Sequence, residues 1–178
     1  MRIISGKYKG RLLKAPAGDL TRPTAAKIKE AIFSMLGSCE GLSVLDLFAG
    51  SGQLGLEAMS RGAKKLVLVD SRTAAVLREN TAKVGADGVG IIKADYQAAL
   101  KRLAGEKFDL VFLDPPYNSD YLDKILPVLP AYLARAAVVV VETVPDKPLP
   151  VVGLEVVKRR TYGKTTEIVI YQTAGEQE

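Results

Sequence analysis

Histidine and tryptophan are absent from this chain of 178 residues, and cysteine occurs once, at Cys39. Without histidine there is no Ser-His-Asp or Cys-His triad, no histidine-built zinc site and no imidazole general base. One cysteine excludes an intrachain disulfide and a cysteine metal cluster. Long apolar runs are missing too. The longest, Ala136 to Val141, is closed by Arg135 and Glu142, far short of the roughly 20 residues that span a bilayer. The opening Met1-Arg2-Ile3-Ile4-Ser5-Gly6-Lys7 holds no apolar stretch of the secretory kind. These absences predict a soluble cytoplasmic protein with no membrane contact. What is present is ordinary for a globular fold: 48% hydrophobic and 25% charged residues, in a length suited to one domain.

The charge is unevenly spread. The sum is +5, yet residues 1 to 29 carry eight bases (Arg2, Lys7, Lys9, Arg11, Lys14, Arg22, Lys27, Lys29) against the single acid Asp19, a local +7. The other 149 residues are therefore net −2. A smaller basic cluster follows at Lys158, Arg159, Arg160 and Lys164. A basic arm on a near-neutral body suits a polyanion such as nucleic acid, although a solubilising basic face has the same composition.

From residue 42 the pattern is strand, loop, helix, repeated. Continuous runs rich in Val, Ile and Leu at Val44 to Phe48, Leu66 to Val69, Val89 to Ile92, Leu110 to Leu113 and Val138 to Val141 suit strands buried on both faces. Helices are predicted between them over Leu54 to Arg61, Thr73 to Val84, Tyr96 to Leu103, and from Tyr121 toward Leu133. Pro127 and Pro130 shorten or kink the last. Leu154 to Tyr162 and Thr165 to Gln172, split by Gly163 and Lys164, read as an antiparallel hairpin. Ahead of the repeat, Arg2 to Leu13 alternates around Gly6 and Gly10, as a strand pair or an extended arm. Ala25 to Leu36 suits a helix with Thr24 as its N-cap. The expectation is an α/β fold, a doubly wound and mostly parallel Rossmann-like sheet closed by a C-terminal hairpin. Residues 1–40 form a basic arm and helix packed on the main domain, 41–174 the α/β domain, and 175–178 a frayed tail. Ligands of such sheets bind beyond the carboxyl ends of the strands, and the distinctive residues fall in those loops.

After the first strand, Asp46-Leu47-Phe48-Ala49-Gly50-Ser51-Gly52-Gln53-Leu54-Gly55 carries the G-x-G-x-x-G spacing. Glycine permits the sharp turn and a close backbone approach. Asp70 ends the next strand 20 residues after Gly50, where a carboxylate can accept from both hydroxyls of a ribose. NAD and S-adenosylmethionine both fit that spacing. Asp46 tilts the choice, because a carboxylate beside the loop repels pyrophosphate and attracts an ammonium. Asp95 can accept from an adenine amine with Tyr96 against the ring; it can equally be a helix N-cap. The cofactor set expected here is Asp46, Phe48, Gly50, Ser51, Gly52, Asp70, Ser71, Asp95 and Tyr96, with no metal.

Asp114-Pro115-Pro116-Tyr117 closes the fourth strand. Two prolines make a stiff corner whose carbonyls no ladder claims. A carboxylate beside a rigid carbonyl can take both hydrogens of an –NH₂ group. An exocyclic base amine held this way is drawn toward tetrahedral geometry, its lone pair aimed at a methyl sulfonium, while Asp114 stabilises the positive charge that develops on nitrogen. Tyr117 offers a face for the base, worth roughly 1–3 kcal/mol.

These motifs resemble the class I S-adenosylmethionine-dependent amino-methyltransferases. With Arg2-Ile3-Ile4-Ser5-Gly6-Lys7, Gly10-Arg11 and Arg22-Pro23-Thr24 they resemble the bacterial 16S rRNA guanine-N2 methyltransferases of the RsmD type, over residues 1 to about 172. The resemblance implies S-adenosylmethionine as cofactor, and a flipped guanine held by Asp114, Pro115, Pro116 and Tyr117. It implies 16S rRNA, within a small subunit or an assembly intermediate, as partner; the chain itself is expected to act as a monomer. Lys7, Arg11, Arg22 and Thr24, with Arg159, Arg160 and Lys164, are expected to touch RNA. Asp70 stands where many relatives have Glu. Three other readings compete: a DNA or other RNA amino-methyltransferase acting on adenine N6 or cytosine N4, a nicotinamide-dependent oxidoreductase, and a non-catalytic RNA-binding module. The second leaves Asp-Pro-Pro-Tyr unused, and the third leaves Asp114 idle.

Overall fold

The computed structural model describes residues 1–18 and 23–174. Seven strands form one sheet: β1 (Ser43–Asp46), β2 (Lys65–Val69), β3 (Val89–Ile92), β4 (Phe108–Leu113), β5 (Leu133–Thr143), β6 (Leu154–Tyr162) and β7 (Thr166–Thr173), in the order β3-β2-β1-β4-β5-β7-β6. The first five pair in parallel; β7 runs antiparallel between β5 and β6. The helices are α1 (Pro23–Leu36), α2 (Gln53–Ser60), α3 (Ala74–Val84), α4 (Tyr96–Arg102) and α5 (Tyr121–Ile125). Among the described residues, no helix is long and apolar enough to cross a membrane.

Side chains alternate across a strand, and both sets are buried here. Val44, Leu66, Leu68, Leu110, Phe112, Val140 and Ile168 pack with Ile32 and Phe33 of α1, Leu56 of α2 and Leu77 of α3. Leu45, Val67, Val111, Leu113, Val139 and Val141 pack with Leu100 of α4 and with Leu122 and Ile125 of α5. The continuous apolar runs thus follow from helices covering both faces.

Two expectations needed correction, and a third was met. The first helix begins at Pro23, so Thr24 lies in its first turn rather than at the cap; proline suits that position because its missing N–H has no helical partner there. The helix from Tyr121 is short, as Pro127 and Pro130 predicted: it stops at Ile125, and Leu129–Tyr132 is a separate 3-10 turn. The fifth strand starts five residues early, at Leu133, and bends where Ala136 takes φ 58°, close to the register shift between Phe108 and Leu110.

The N-terminal segment is a docked hairpin. Arg2 bridges Leu12, and Ile3, Tyr8 and Leu13 are buried in the same core as α1 and α2. Its tip lies on the end of α2: Lys7 N–H donates to the Ser60 carbonyl (2.8 Å) and Tyr8 N–H to Ser60 Oγ (2.9 Å). Gly6 is required there. Its φ is +83°, and a Cβ would stand 1.7 Å from the Ser60 carbonyl oxygen. Below the tip, Glu57 is fully buried and accepts from Ile4 N–H (2.8 Å), Ser5 N–H (3.0 Å) and Arg61 Nε (3.0 Å), with Lys29 Nζ at 3.3 Å.

Candidate functional site

The glycine loop leaves β1 at its carboxyl end and turns into α2 at Gly52, whose φ of 79° only glycine adopts without strain. Asp46 is 2% exposed; its carboxylate lies beneath the loop and accepts from Gly55 N–H at 3.2 Å. Burial pushes this carboxyl up to about 7, with the Gly55 N–H bond opposing and the Asp70 charge reinforcing. An unfolded aspartate titrates near 3.9. The folded state therefore holds the proton more tightly, and stability declines as pH rises from about 4 through about 7. Asp46→Asn removes the ionisation. The melting temperature of the variant relative to the parent should rise steadily from about pH 4 to about pH 8; a difference independent of pH contradicts this reading.

Asp70 ties the loop together. One carboxylate oxygen accepts from Gly50 N–H (3.1 Å), and the other from the N–H groups of Arg72 (2.8 Å) and Thr73 (2.9 Å) ahead of α3. Three of about four acceptor positions are thereby used. Ser71 beside it is exposed, and Ser51 is buried, its hydroxyl 3.5 Å from Met1 Sδ. Asp95 caps α4 by accepting from Ala98 N–H (2.8 Å), and it stays exposed. Its capping role is therefore realised, at an exposed position and through one carboxylate oxygen.

Phe48 of the loop stacks on Tyr121 at the start of α5, with centroids 5.8 Å apart and planes 7° apart. Tyr96 completes the triangle, 6.2 Å from Phe48 and 5.1 Å from Tyr121. This cluster spans the rim between the glycine loop and the loop after β4. Tyr121 was missed by the sequence reading; its signal was an aromatic residue four positions past Tyr117, at a helix start.

The tetrapeptide follows β4 directly. Pro115 is buried, Asp114 half-buried and Pro116 exposed. Tyr117 is 37% exposed, but its hydroxyl turns inward, donating to Glu142 Oε1 (2.8 Å) and lying 3.2 Å from Thr166 Oγ1. The ring thus presents area to solvent while its polar end is sheltered. That shelter, with the charges of Glu142 and Asp114, raises the phenol to about 12, so it remains a donor at any working pH. Glu142 itself is raised by burial, and the Tyr117 hydrogen bond opposes the rise. Glu142 is the second residue missed. It ends the Val138 to Val141 run just as Asp114 ends its own.

The basic residues divide. Lys7 and Arg11 sit at the hairpin tip, by the carboxyl ends of α2 and α3, about 12 Å of helix away from the glycine loop. Lys7 stands over the Tyr8 ring at 5.2 Å; Arg11 also stacks on it and donates to the Lys83 and Val84 carbonyls. Neither meets Asp114. Arg22 and the side chain of Thr24 lie outside the described residues. The second cluster is the nearer one. Tyr162 pairs with Thr166, which touches Tyr117, so the hairpin tip carrying Lys164 stands beside the tetrapeptide, with Arg159 and Arg160 exposed along the edge strand. Arg159 is 3.6 Å from Glu167. The arm does reach the glycine loop elsewhere: buried Asn80 donates to both the Ser51 and Lys14 carbonyls at 2.8 and 2.9 Å.

Similar proteins are found in several bacteria. YlbH of Bacillus subtilis, described as a candidate rRNA methyltransferase, is 40% identical over 190 residues, covering 98% of this chain and all of the relative. Ribosomal RNA small subunit methyltransferase D of Haemophilus influenzae is 36% identical, covering 84% of this chain and 81% of its own length. Among solved structures, yhhF from Escherichia coli superposes with a TM-score of 0.86 at 29% identity, covering 99% of each chain. A hypothetical protein of Thermus thermophilus gives 0.80 at 31% identity, covering 96% of this chain and 98% of the other. The family described as conserved hypothetical protein 95 matches residues 1–172. With glycine loop, tetrapeptide and docked arm all inside that span, the chain belongs to the conserved hypothetical protein 95 family, whose RsmD-type members its motifs resemble.

Proposed function

We propose that this chain is an S-adenosylmethionine-dependent methyltransferase acting on the exocyclic N2 amine of a guanine in 16S rRNA, as a cytoplasmic monomer working on a small subunit or an assembly intermediate. The observation that carries this reading is Asp114-Pro115-Pro116-Tyr117 at the end of β4, two strand-ends from Asp70, with the Tyr117 hydroxyl anchored on β5 and β7. The relatives named as rRNA methyltransferases support the ribosomal RNA substrate.

The loop suits the cofactor. No atom lies within 4 Å of where a Gly50 Cβ would stand, which leaves room for a ligand against the backbone. Asp70 keeps acceptor capacity for a ribose hydroxyl, and the second oxygen of exposed Asp95 can take an adenine amine. Asp46 supplies negative charge under the loop for the methionyl ammonium, and a cation there draws its proton off. When bound, S-adenosylmethionine supplies an electrophilic methyl group on sulfur. Asp114 and the Pro115 carbonyl accept from the two N–H groups of the target amine, orient its lone pair and stabilise the charge that grows on nitrogen. Tyr117 stacks on the flipped base. The amine proton leaves to solvent after transfer, so no imidazole is needed. Arg160 and Lys164 are placed to hold the RNA backbone at the site, with Lys7 and Arg11 as a remote contact.

The test is transfer of labelled methyl from S-adenosylmethionine to small ribosomal subunits, free 16S rRNA and duplex DNA. Label on 16S rRNA, recovered as N2-methylguanosine, is expected. Label confined to DNA, or recovered on adenine or cytosine, refutes the substrate assignment.

A further inference from the structure

The parallel register of β4 and β5 sets two carboxylates side by side. Leu113 pairs with Val141, so Asp114, the residue just past β4, and Glu142, the penultimate residue of β5, follow that pair at the same level. Alternation puts Glu142 on the face of Val140, together with Thr166 of β7, while Asp114 stands one residue past the end of β4. Tyr117 lies against both charges, and its hydroxyl holds one Glu142 oxygen at 2.8 Å. Glu142 is half-buried, and no lysine or arginine among the described residues pairs with it. A carboxylate this sheltered and lacking a cation is costly unless donors fill its lone pairs. One hydroxyl fills only part of that capacity.

We propose that Glu142 determines base specificity: its carboxylate accepts from guanine N1–H while Asp114 holds the neighbouring N2 amine. The inference rests on the guanine-N2 reading above. Of the bases with an exocyclic amine, guanine alone presents a ring N–H beside that amine. Adenine N6 and cytosine N4 are flanked by ring nitrogens that carry lone pairs. Two adjacent carboxylates therefore match the guanine edge and repel the other two, so the same contact selects and rejects. A site built around a donor discriminates strongly against analogues that lack it. Tyr117 acts here as a positioning residue, fixing the Glu142 carboxylate through its hydroxyl. Asp114 alone would hold any base amine, so specificity would come from β5 rather than from the tetrapeptide.

The experiment uses small subunits reconstituted with 16S rRNA whose target guanine, once mapped with the unaltered enzyme, is replaced by 2-aminopurine. That base keeps the N2 amine but has an acceptor at N1. The unaltered enzyme should favour guanine by about 10²-fold or more in kcat/KM. Glu142→Gln, whose amide can donate to the 2-aminopurine N1, should lose guanine activity and shrink the ratio at least tenfold, with S-adenosylmethionine binding retained as proof of folding. Comparing ratios between enzymes cancels the different intrinsic reactivity of the two amines. If Glu142→Gln does not fold, Glu142→Asp, with a carboxylate too short to reach, should shrink the ratio likewise. An equal loss on both bases, or an unaltered enzyme that treats them alike, overturns the proposal. Methyl recovered anywhere but guanine N2 in the mapping step overturns the underlying reading instead.

Discussion

Replacing Asp114 by alanine is expected to lower methyl transfer to small subunits by about 10³-fold while S-adenosylmethionine binding is unchanged. The cofactor contacts assigned here come from β1, β2 and β3, whereas Asp114 follows β4, so the two losses separate. Alanine removes both the acceptor that orients the amine and the charge that stabilises the nitrogen cation, two effects that act on the transition state far more than on the bound substrate. The deficit should therefore fall on kcat rather than KM. Asp114→Asn keeps an acceptor oxygen without the charge, and belongs between the two, about 10²-fold below the parent. Single-turnover transfer with calorimetry of cofactor binding reads both quantities. Alanine retaining a tenth of the activity would remove Asp114 from the chemistry.

Glu57→Ala is expected to cost about 4 kcal/mol of stability, a large share of the roughly 5–15 kcal/mol typical of a domain. Glu57 and Lys29 are 0% and 3% exposed, and Glu57 holds the arm through Ile4 and Ser5, α1 through Lys29, and Arg61 through the next turn. Truncation strands the Lys29 ammonium, which keeps only the Arg2 carbonyl, along with two backbone N–H groups. Burial already depresses the Lys29 pKa, and the Glu57 charge is what chiefly resists that depression. Without Glu57 the lysine sheds its proton more readily when folded. The variant is then penalised most at low pH, where the ammonium is enforced, and less as pH rises. A fall of about 8–16 °C in Tm near neutral pH is the corresponding readout. Replacing the pair together, Glu57→Leu with Lys29→Met, should recover part of the loss, because no charge is left buried. A single variant melting within about 2 °C of the parent would show that the knot carries little.

Composition, periodicity and loop position settled the architecture of this protein in advance. Five short apolar runs separated by helical segments permit few arrangements other than strands covered on both faces, and a turn at Gly163 fixes the closing hairpin. The glycine loop and Asp-Pro-Pro-Tyr were legible for the same reason: their chemistry is contiguous in the chain. Where a bulge intervened, before Val138, local pattern misjudged the start of the strand, since that depends on which backbone donors find a partner. Only the tertiary structure could show that Asp70 spends its oxygens on Gly50, Arg72 and Thr73, or that the basic arm is pinned to α2 with Lys7 and Arg11 far from Asp114. Only strand register could set Glu142 beside Asp114 and bring Thr166 to Tyr117 across 49 residues. Periodicity along a chain reports which face a side chain takes; which strands are neighbours, and at what level, is decided by long-range pairing that no local pattern encodes.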